Sequence, residues 1–384
     1  MVGNMLTIVA VPWFVLETTG SAAKTGITAF FTALPAVLAA FFGGTFVDRL
    51  GFKKTSVISD VLSGVTVGLI PLLHNTVGLE FWMLLVLVFL GALFDAPGVT
   101  ARASLVPDLA ERGDVPVHRA SAWSDSTNRG AAFLGPPIAG ILVAALGPGN
   151  VLYVDAATFA VSALLIGIVM PSIRHMSAPS RYLDDLKAGL RYLRGDRLVF
   201  VLTITVMITN TLDAATSSVV LPVYARRVLG SAVDLGLMIG LFGAGALTAS
   251  LIYGWIGARF PQRLLFIAGF VLVSARYWLL AAYPPLWVIL IGNFIFGMGA
   301  GALNPIMATV DYKRIPPDMR GRVLGAAYAG SYLGMPLGGL AGGFLISWFG
   351  LTTTLICLGT LYGITTLAMI FHKSIREMDD LFTD

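Results

Sequence analysis

Charged side chains lie within long apolar runs of the sequence, among them Asp125, Arg129, Asp213 and Arg276. A charge at the centre of a bilayer costs about 2.5 to 3.5 kcal/mol even on the most permissive scale, so each of these residues needs a partner or a function. A carboxylate in that position can take up and release a proton. A guanidinium can neutralise a carboxylate or bind an anionic substrate. The residue types therefore indicate proton or ion chemistry inside a membrane.

Asp125 and Arg129 are four residues apart, which places both side chains on one face of a helix. One interpretation is a proton-coupled switch, in which protonation of Asp125 breaks its tie to Arg129. A permanent ion pair that orients the helix explains the same spacing, and Arg129 could instead be the counter-ion of an anionic substrate. Asp213 follows Asn210 and Thr211, and this polar setting suits a water-filled cavity. A coupling or substrate role for Asp213 and a purely structural one both stay open.

The other charges within apolar runs fit structural roles. Arg276 lies near the middle of a predicted helix, where we expect it to pair or to extend toward the membrane surface. Asp95 precedes Ala96-Pro97, and its side chain can cap the backbone groups that proline leaves free. Asp60 and Asp311 lie near predicted cytoplasmic helix ends, where loop lysines and arginines would be their partners.

The composition identifies the elements that must position these charges. Of the 384 residues, 57% are hydrophobic and 12% are charged, about half the charged share of a soluble protein. Apolar runs of about 17 to 25 residues span a bilayer as helices. The simplest reading of the chain is an all-α membrane protein with twelve transmembrane helices. Most of the 25 lysines and arginines fall in loops on the same side as residues 48–54, so we expect both termini in the cytoplasm.

The sequence repeats itself at an offset of about 210 residues, which pairs Pro12 with Pro222 and Gly44 with Gly254. Two such halves in the same orientation predict pseudo-symmetric six-helix bundles with a site between them. We place the N-terminal bundle at 1–172 and the C-terminal bundle at 198–384. Between them, residues 173–197 form a cytoplasmic linker, whose leucines follow one face of an amphipathic helix.

A charge cluster with the pattern Gly44-x-x-x-Asp48-Arg49-x-Gly51-x-Lys53-Lys54 separates the second and third apolar runs. It resembles the loop signature of the major facilitator superfamily, and the helix count and repeat extend that resemblance over the whole chain. The resemblance implies a gating motif, in which Asp48 helps to hold the cytoplasmic side closed. A tight turn of solvated charges is the alternative. Phe52 stands where members usually have arginine, which leaves Lys53 or Lys54 for that contact.

The run Gly135-Pro136-Pro137-Ile138-Ala139-Gly140 is similar to the antiporter motif of proton-coupled drug exporters. Other stretches are similar to the branch with macrolide, multidrug and siderophore exporters. The resemblance implies proton-coupled efflux of hydrophobic or amphipathic small molecules by alternating access. Members of the branch often carry an acid in helix 1, and here that position is Asn4.

We expect several aromatic and amide side chains on the inward-facing helices to line the substrate cavity. Each of them also fits ordinary helix packing. The candidates are Trp13, Phe30, Asn128, Asn210, Asn293, Tyr328 and Tyr332.

These expectations define a transporter in the cytoplasmic membrane, not an enzyme. We expect it to act as a monomer in the lipid bilayer and to bind a small-molecule substrate. The proton gradient would drive transport, and no cofactor, metal or nucleic-acid partner is expected. Its four histidines show no metal-ligand spacing with cysteine or acidic residues. The alternatives are an exporter of one metabolite, siderophore or lipid, and a membrane sensor that does not transport.

The two halves of the repeat differ at the gating motif, because Ala258 stands where the first half has Asp48. We expect Asp48→Asn to slow transport, since it removes the carboxylate that holds the closed cytoplasmic gate. Ala258→Asp, the matched change in the other half, should have little effect. Dye efflux from cells that express each variant measures both, and wild-type efflux by Asp48→Asn would show that the loop is only a turn.

Overall fold

The computed structural model describes the chain except for residues 1, 171–181 and 382–384, and it leaves out the side chains of residues 2, 39–49, 182–183 and 258. Every regular element in the described part is helical. The helices are α1 (Val2–Thr19), α2 (Ala22–Leu50), α3 (Phe52–Thr76), α4 (Phe81–Ser104), α5 (Val106–Arg112), α6 (Val117–Leu146), α7 (Pro148–Val169), α8 (Tyr182–Gly195), α9 (Arg197–Ala215), α10 (Leu221–Tyr224), α11 (Ala232–Ile256), α12 (Gln262–Ala281), α13 (Leu286–Gly301), α14 (Leu303–Arg314), α15 (Arg320–Leu333), α16 (Met335–Phe371) and α17 (Glu377–Leu381).

Twelve passes through a membrane can be traced in the described residues. Nine segments are long and apolar enough to cross, and Arg320–Phe371 is the longest of them. That segment bends at Gly350, whose φ of 80° favours glycine, so it supplies two passes. The helices α1 and α2 complete the number predicted from the apolar runs. Two π-helical turns, Thr216–Val220 and Ala225–Leu229, interrupt the pass that α9 begins.

The chain forms two compact units. Unit 1 comprises Met1–Ala178 and Leu221–Gly236, and unit 2 comprises Pro179–Val220 and Leu237–Asp384. The predicted boundary between residues 172 and 173 lies in the segment 171–181, outside the described residues. Unit 1 includes a segment from the second half of the sequence, because the start of α11 packs closely on α6. A Cβ atom on Gly140 would lie 2.5 Å from the carbonyl oxygen of Ala232.

Glycines allow the helices of unit 2 to approach to backbone contact. Gly245, Gly297 and Gly301 lie where α11 and α13 meet, and a Cβ atom on any of them would collide with a carbonyl oxygen of the other helix. The Gly-rich stretches of this chain therefore serve helix packing, as small residues at regular spacing do in membranes.

The linker helix α8 belongs to unit 2 and packs on α15 through its apolar face. Leu193 is buried with Val323 and Ala326 of α15, and Gly189 lies against the carbonyl oxygen of Arg322. The Tyr192 hydroxyl donates to the carbonyl oxygen of Arg314 at 3.0 Å. Burial raises the pKa of the Tyr192 phenol, which keeps this donor protonated.

Charged contacts add to the attachment of the linker. Arg314 pairs with Asp196 at 2.6 Å and with Glu377 of α17 at 2.9 Å. Arg322 pairs with Asp185 of α8 at 2.6 Å, although both side chains are exposed, so this contact contributes little by itself. The predicted amphipathic helix is thus present from Tyr182, and its apolar face contacts protein.

The glycine contacts lead to a stability test. Gly297→Ala places a methyl group against the carbonyl oxygen of Phe242, and overpacking of this kind costs about 1 to 3 kcal/mol. Gly325→Ala is the matched control, because no atom lies within 4 Å of its Cβ position. Thermal unfolding in detergent should show a lower Tm for Gly297→Ala and an unchanged or higher Tm for Gly325→Ala. Equal Tm values would contradict the close approach of α11 and α13.

Candidate functional site

The guanidinium of Arg102 lies between two carboxylates in unit 1. It donates to Asp60 of α3 at 2.6 Å and to Asp95 of α4 at 3.3 Å. Asp60 is 1% exposed and also accepts from the Ser162 hydroxyl of α7 at 2.6 Å. Asp95 accepts from the Asn4 amide of α1 at 2.7 Å. Four helices are therefore joined by bonds to two carboxylates that share one cation.

A third carboxylate, Asp155 of α7, is completely buried. It accepts hydrogen bonds from the hydroxyls of Thr7 of α1 and Thr158 of α7, the latter at 3.3 Å. No ion pair to Asp155 is present among the described residues. A Cβ atom on Gly3 would collide with this carboxylate and with Thr158, so the backbone of α1 lies directly against it. We call these groups the acidic network: Asn4, Thr7, Asp60, Asp95, Arg102, Asp155, Thr158 and Ser162.

The helices that hold the acidic network are packed through small side chains. Gly98 of α4 faces Ser59 of α3 with 2.7 Å between its Cβ position and the serine Cβ atom. Gly64 of α3 faces Phe159 of α7 at 3.0 Å. These approaches bring α4 and α7 against α3, where Arg102 and Ser162 reach Asp60.

Asp60 has a basic partner, as the sequence predicts, but Arg102 belongs to the helix α4 and not to a loop. The sequence also predicts that the Asp95 side chain caps backbone groups near Pro97, but no such hydrogen bond is present among the described residues. Its carboxylate instead accepts from Asn4 and Arg102, because Arg102 lies seven residues further along α4, two turns away on the same face.

Asp213 and Arg276 of unit 2 interact electrostatically with each other, although no salt bridge joins them in the described residues, and each also contacts an aromatic side chain. The Tyr277 hydroxyl donates to Asp213 Oδ1 at 3.4 Å and accepts from Thr216 at 3.1 Å. The guanidinium of Arg276 stacks over the ring of Phe242, 4.7 Å from its centroid. A cation over an aromatic face is stabilised most where water is excluded, and Arg276 is 6% exposed.

Asp125 and Arg129 are both exposed on α6. Their spacing places them on one face, as predicted, but no salt bridge joins them in the part of the chain that the structure describes. Their roles in proton coupling stay predictions. Neither residue belongs to the acidic network.

The predicted cavity residues fall in both units and differ in burial. In unit 1, Trp13 is 4% exposed and Arg226 stacks over its ring at 5.3 Å. Phe30 and Asn128 are half-buried.

In unit 2, the Asn210 amide donates to the carbonyl oxygen of Ser331 at 3.2 Å. Asn293 is 1% exposed and donates to the carbonyl oxygen of Ile289. Tyr328 and Tyr332 are exposed by 61% and 51%. These two tyrosines are therefore exposed, whereas Asn293 is buried in helix packing.

The antiporter motif forms a close contact in unit 1. A Cβ atom on Gly135 would lie 2.5 Å from Cβ of Met5 in α1, and Gly140 meets the backbone of Ala232. The Pro136 carbonyl oxygen lies against Gly236 in the same way. The glycines allow α6 to approach both α1 and the start of α11.

The gating motif is described only in part. Gly44, Asp48 and Arg49 belong to the range 39–49, whose side chains lie outside the described residues. Gly51 has a φ of 78°, a conformation that favours glycine, and its carbonyl oxygen accepts from Thr55 at the start of α3. Lys53 is half-buried in the first turn of that helix. The role of the motif as a gate stays a prediction.

Comparison with known proteins identifies the family. The sequence model of a major facilitator family described as "Transmembrane secretion effector" matches residues 1–383. This chain belongs to the major facilitator superfamily. It is thus a multi-pass membrane protein of a transporter family.

Relatives in the superfamily match nearly the whole chain. "Multidrug efflux pump Tap" of Mycolicibacterium fortuitum is 30% identical over 386 residues, which cover 98% of this chain and 94% of that protein. The protein of the same name from Mycobacterium tuberculosis is 30% identical over 384 residues, with 98% and 91% covered.

Solved structures show the same fold. The nucleoside transporter NupG has a TM-score of 0.77 at 14% identity, covering 97% of this chain and 100% of its own. A D-xylose-proton symporter has a TM-score of 0.70 at 15% identity, with 96% and 94% covered. The predicted major facilitator fold, with twelve helices in two six-helix bundles, is confirmed.

Asp155 was not singled out by the sequence reasoning, although a signal for it was present. It interrupts the apolar run Val151–Met170, in which it is the one charged residue. Asn4 stands where the resemblance led us to expect an acid in helix 1, and the structure places Asp155 beside Gly3 and Thr7 of that helix. A search for every charge inside an apolar run would have found it.

The acidic network predicts the effect of removing its cation. Arg102→Gln should destabilise the protein by about 3 to 5 kcal/mol, because Asp60 is then buried without a counter-charge. The double variant Arg102→Gln with Asp60→Asn should recover much of that loss. Arg112→Gln, at the exposed end of α5, is the control. Thermal unfolding in detergent compares these three variants with the wild type, and wild-type stability of Arg102→Gln would contradict the proposed arrangement.

Proposed function

We propose that the protein exports hydrophobic or amphipathic small molecules, drugs among them, across the cytoplasmic membrane in exchange for protons. The observation that carries the proposal is the match over nearly the full chain to multidrug efflux pumps. In this proposal both termini are cytoplasmic, and the protein works as a monomer in the bilayer. The two six-helix bundles alternate access to the substrate cavity.

Buried carboxylates support a proton as the driving ion. Asp213 lies in an apolar pass, and its described neighbours offer a phenol hydroxyl and not a close ion pair. In an apolar environment a neutral carboxyl costs little free energy, whereas an ionised one costs much. The protonation state of such a carboxyl therefore depends on which side of the membrane it faces. We assign Asp213 as a proton carrier of unit 2. Asp125 is the carrier proposed on α6, with Arg129 as the cation that responds to it.

Exposed aromatic side chains support a broad substrate range. Tyr328 and Tyr332 are four residues apart on α15 and offer flat apolar surfaces with a polar end. Such surfaces bind large amphipathic molecules without strict geometry. The remaining proposed cavity residues are Trp13, Phe30, Asn128, Asn210 and Asn293. The proposed gate is the motif at Gly44, Asp48, Arg49, Gly51 and Lys53, and Gly135, Pro136 and Gly140 form the proposed antiporter motif.

Efflux in cells tests this function. We expect efflux of a fluorescent cationic dye such as ethidium to stop when a protonophore collapses the gradient. Asp213→Asn and Asp125→Asn should reduce efflux to the level of cells without the protein, since neither amide can carry a proton. Asp318→Asn, an exposed acid in the loop before α15, is the matched control and should pump normally.

Three results would each overturn a part of the proposal. Protonophore-resistant efflux by the wild type would exclude proton coupling. Normal efflux by both Asp213→Asn and Asp125→Asn would exclude these residues as the carriers. If the wild type exports no dye but does export a siderophore or a single metabolite, the substrate range is narrow and the broad-range proposal is wrong.

A further inference from the structure

We propose that Asp155 is a proton-binding site of unit 1, and that the acidic network connects its protonation to the position of α1. This inference deepens the proposed proton-coupled export and rests on it. It is carried by the hydrogen bonds and the charge balance around Asp155.

The acidic network holds more carboxylates than cations. Asp60 and Asp95 both bond to Arg102, and the described residues supply no second cation to the network. If Asp60, Asp95 and Asp155 were all ionised, two of the negative charges would have no side-chain cation among the described residues in an apolar interior. Buried groups avoid that state by keeping a proton. Asp155 is the carboxylate without an ion pair, so it is the member that holds the proton.

The groups around Asp155 can accommodate both of its protonation states. An ionised carboxylate accepts only, whereas a protonated one also donates. The hydroxyls of Thr7 and Thr158 rotate, so each can donate to the ionised carboxylate or accept from the protonated one. A lysine or arginine in their place would hold the carboxylate permanently ionised.

The other titratable and charged groups on the helices packed against α7 make no recorded bond with Asp155. These helices are α1, α3 and α6. Apart from Asp60, their groups in the described part are Glu17, Lys53, Lys54, His74, His118, Arg119, Asp125 and Arg129. Asp95, which binds Asn4 of α1, also interacts electrostatically with Asp155. The charge of Asp155 is therefore controlled by its hydroxyl partners and by the rest of the acidic network.

Helix α1 is the element whose contacts depend on whether Asp155 carries a proton. Thr7 bonds to Asp155, and Asn4, on the same face one turn earlier, bonds to Asp95. Gly3 brings the α1 backbone against the carboxylate. A change in the charge of Asp155 therefore changes the forces on α1 directly. The same helix carries Trp13, a proposed cavity residue, which gives the proton a physical connection to the substrate.

The network also spans part of the membrane thickness. Asp155 and Ser162 are seven residues apart on α7, about 10 Å along its axis, and lie on one face. Ser162 bonds to Asp60, which lies eight residues beyond the first residue of α3. One end of the acidic network is Asp60, in the first third of α3, where Ser162 bonds to it. The other end is Asp155, about 10 Å from Ser162 along the axis of α7.

Infrared difference spectroscopy of the purified full-length protein tests the site without a substrate. Between about pH 4 and about pH 9, the range in which buried carboxyls titrate, the wild type should lose a protonated carboxyl C=O band as the pH rises. Because Asp213 is also a proposed proton carrier with a band of its own, Asp155→Asn should lose one component of the signal. Asp114→Asn, an exposed loop acid outside the network, should keep all of it. A band unchanged in Asp155→Asn would overturn the proposal.

Thr7→Val serves if Asp155→Asn does not fold, because it keeps the acid and removes one hydroxyl. The hydroxyl stabilises the ionised form as a donor, so in Thr7→Val the protonated band should persist to higher pH than in the wild type. An identical titration in Thr7→Val and wild type would contradict the role of this hydrogen bond in proton binding.

Transport in proteoliposomes then separates proton binding from the export function. We expect Asp155→Asn to lose ethidium transport driven by a pH gradient and to keep dye exchange when no gradient is present. Loss of both activities, in a folded variant, would mean that Asp155 has a structural role only. If a pH gradient does not drive dye transport by the wild type, the proposed function is wrong. The infrared band still shows whether Asp155 binds a proton.

Discussion

The contact of Arg102 with Asp60 and Asp95 is the interaction on which the first unit depends. It places a cation among helices that otherwise meet through apolar and small side chains, and Arg102 of α4 bonds to Asp60 of α3 and to Asp95 of its own helix. An isolated charge in this interior would cost several kcal/mol. The guanidinium fork bonds to both carboxylates at once, and Asn4 and Ser162 satisfy the remaining oxygens. The positions of α1, α3, α4 and α7 are thereby linked through one polar arrangement.

The buried charged side chains have different kinds of partner in the two units. In unit 1 the carboxylates share a cation and the hydrogen bonds pass from helix to helix. In unit 2 Asp213 bonds to a tyrosine hydroxyl, and Arg276 lies over the ring of Phe242. A shared ion pair is costly to break, whereas a hydroxyl partner permits a change of protonation. Asp155 and Asp213 both have hydroxyl partners, which is why both are candidates for proton binding on a fold whose halves are related by a repeat.

Small residues determine where these polar groups can meet. Because glycine has no side chain, Ser59 can pack against Gly98, Asp155 against Gly3, and the backbone of Phe242 against Gly297. In a bilayer the helices gain little from burying apolar surface against each other, so close contact and hydrogen bonds specify the packing. The same property explains why the Gly-rich stretches lie at helix contacts, and why the antiporter motif lies where α6 meets α1 and α11.

The sequence by itself determined the helical membrane fold, the twelve passes and the family, because these depend on local apolar length, on the repeat and on motif residues such as Gly51. It also showed that Asp213 and Arg276 lie inside passes. Only the tertiary structure decided the partners of these charges. Asp95 meets Asn4 across 91 residues and Asp60 meets Ser162 across 102, and such contacts depend on how helices rotate and tilt in the bundle. Periodicity within one helix carries no information about the facing helix, so Asp155 and its threonines became visible as a site only when the chain was folded.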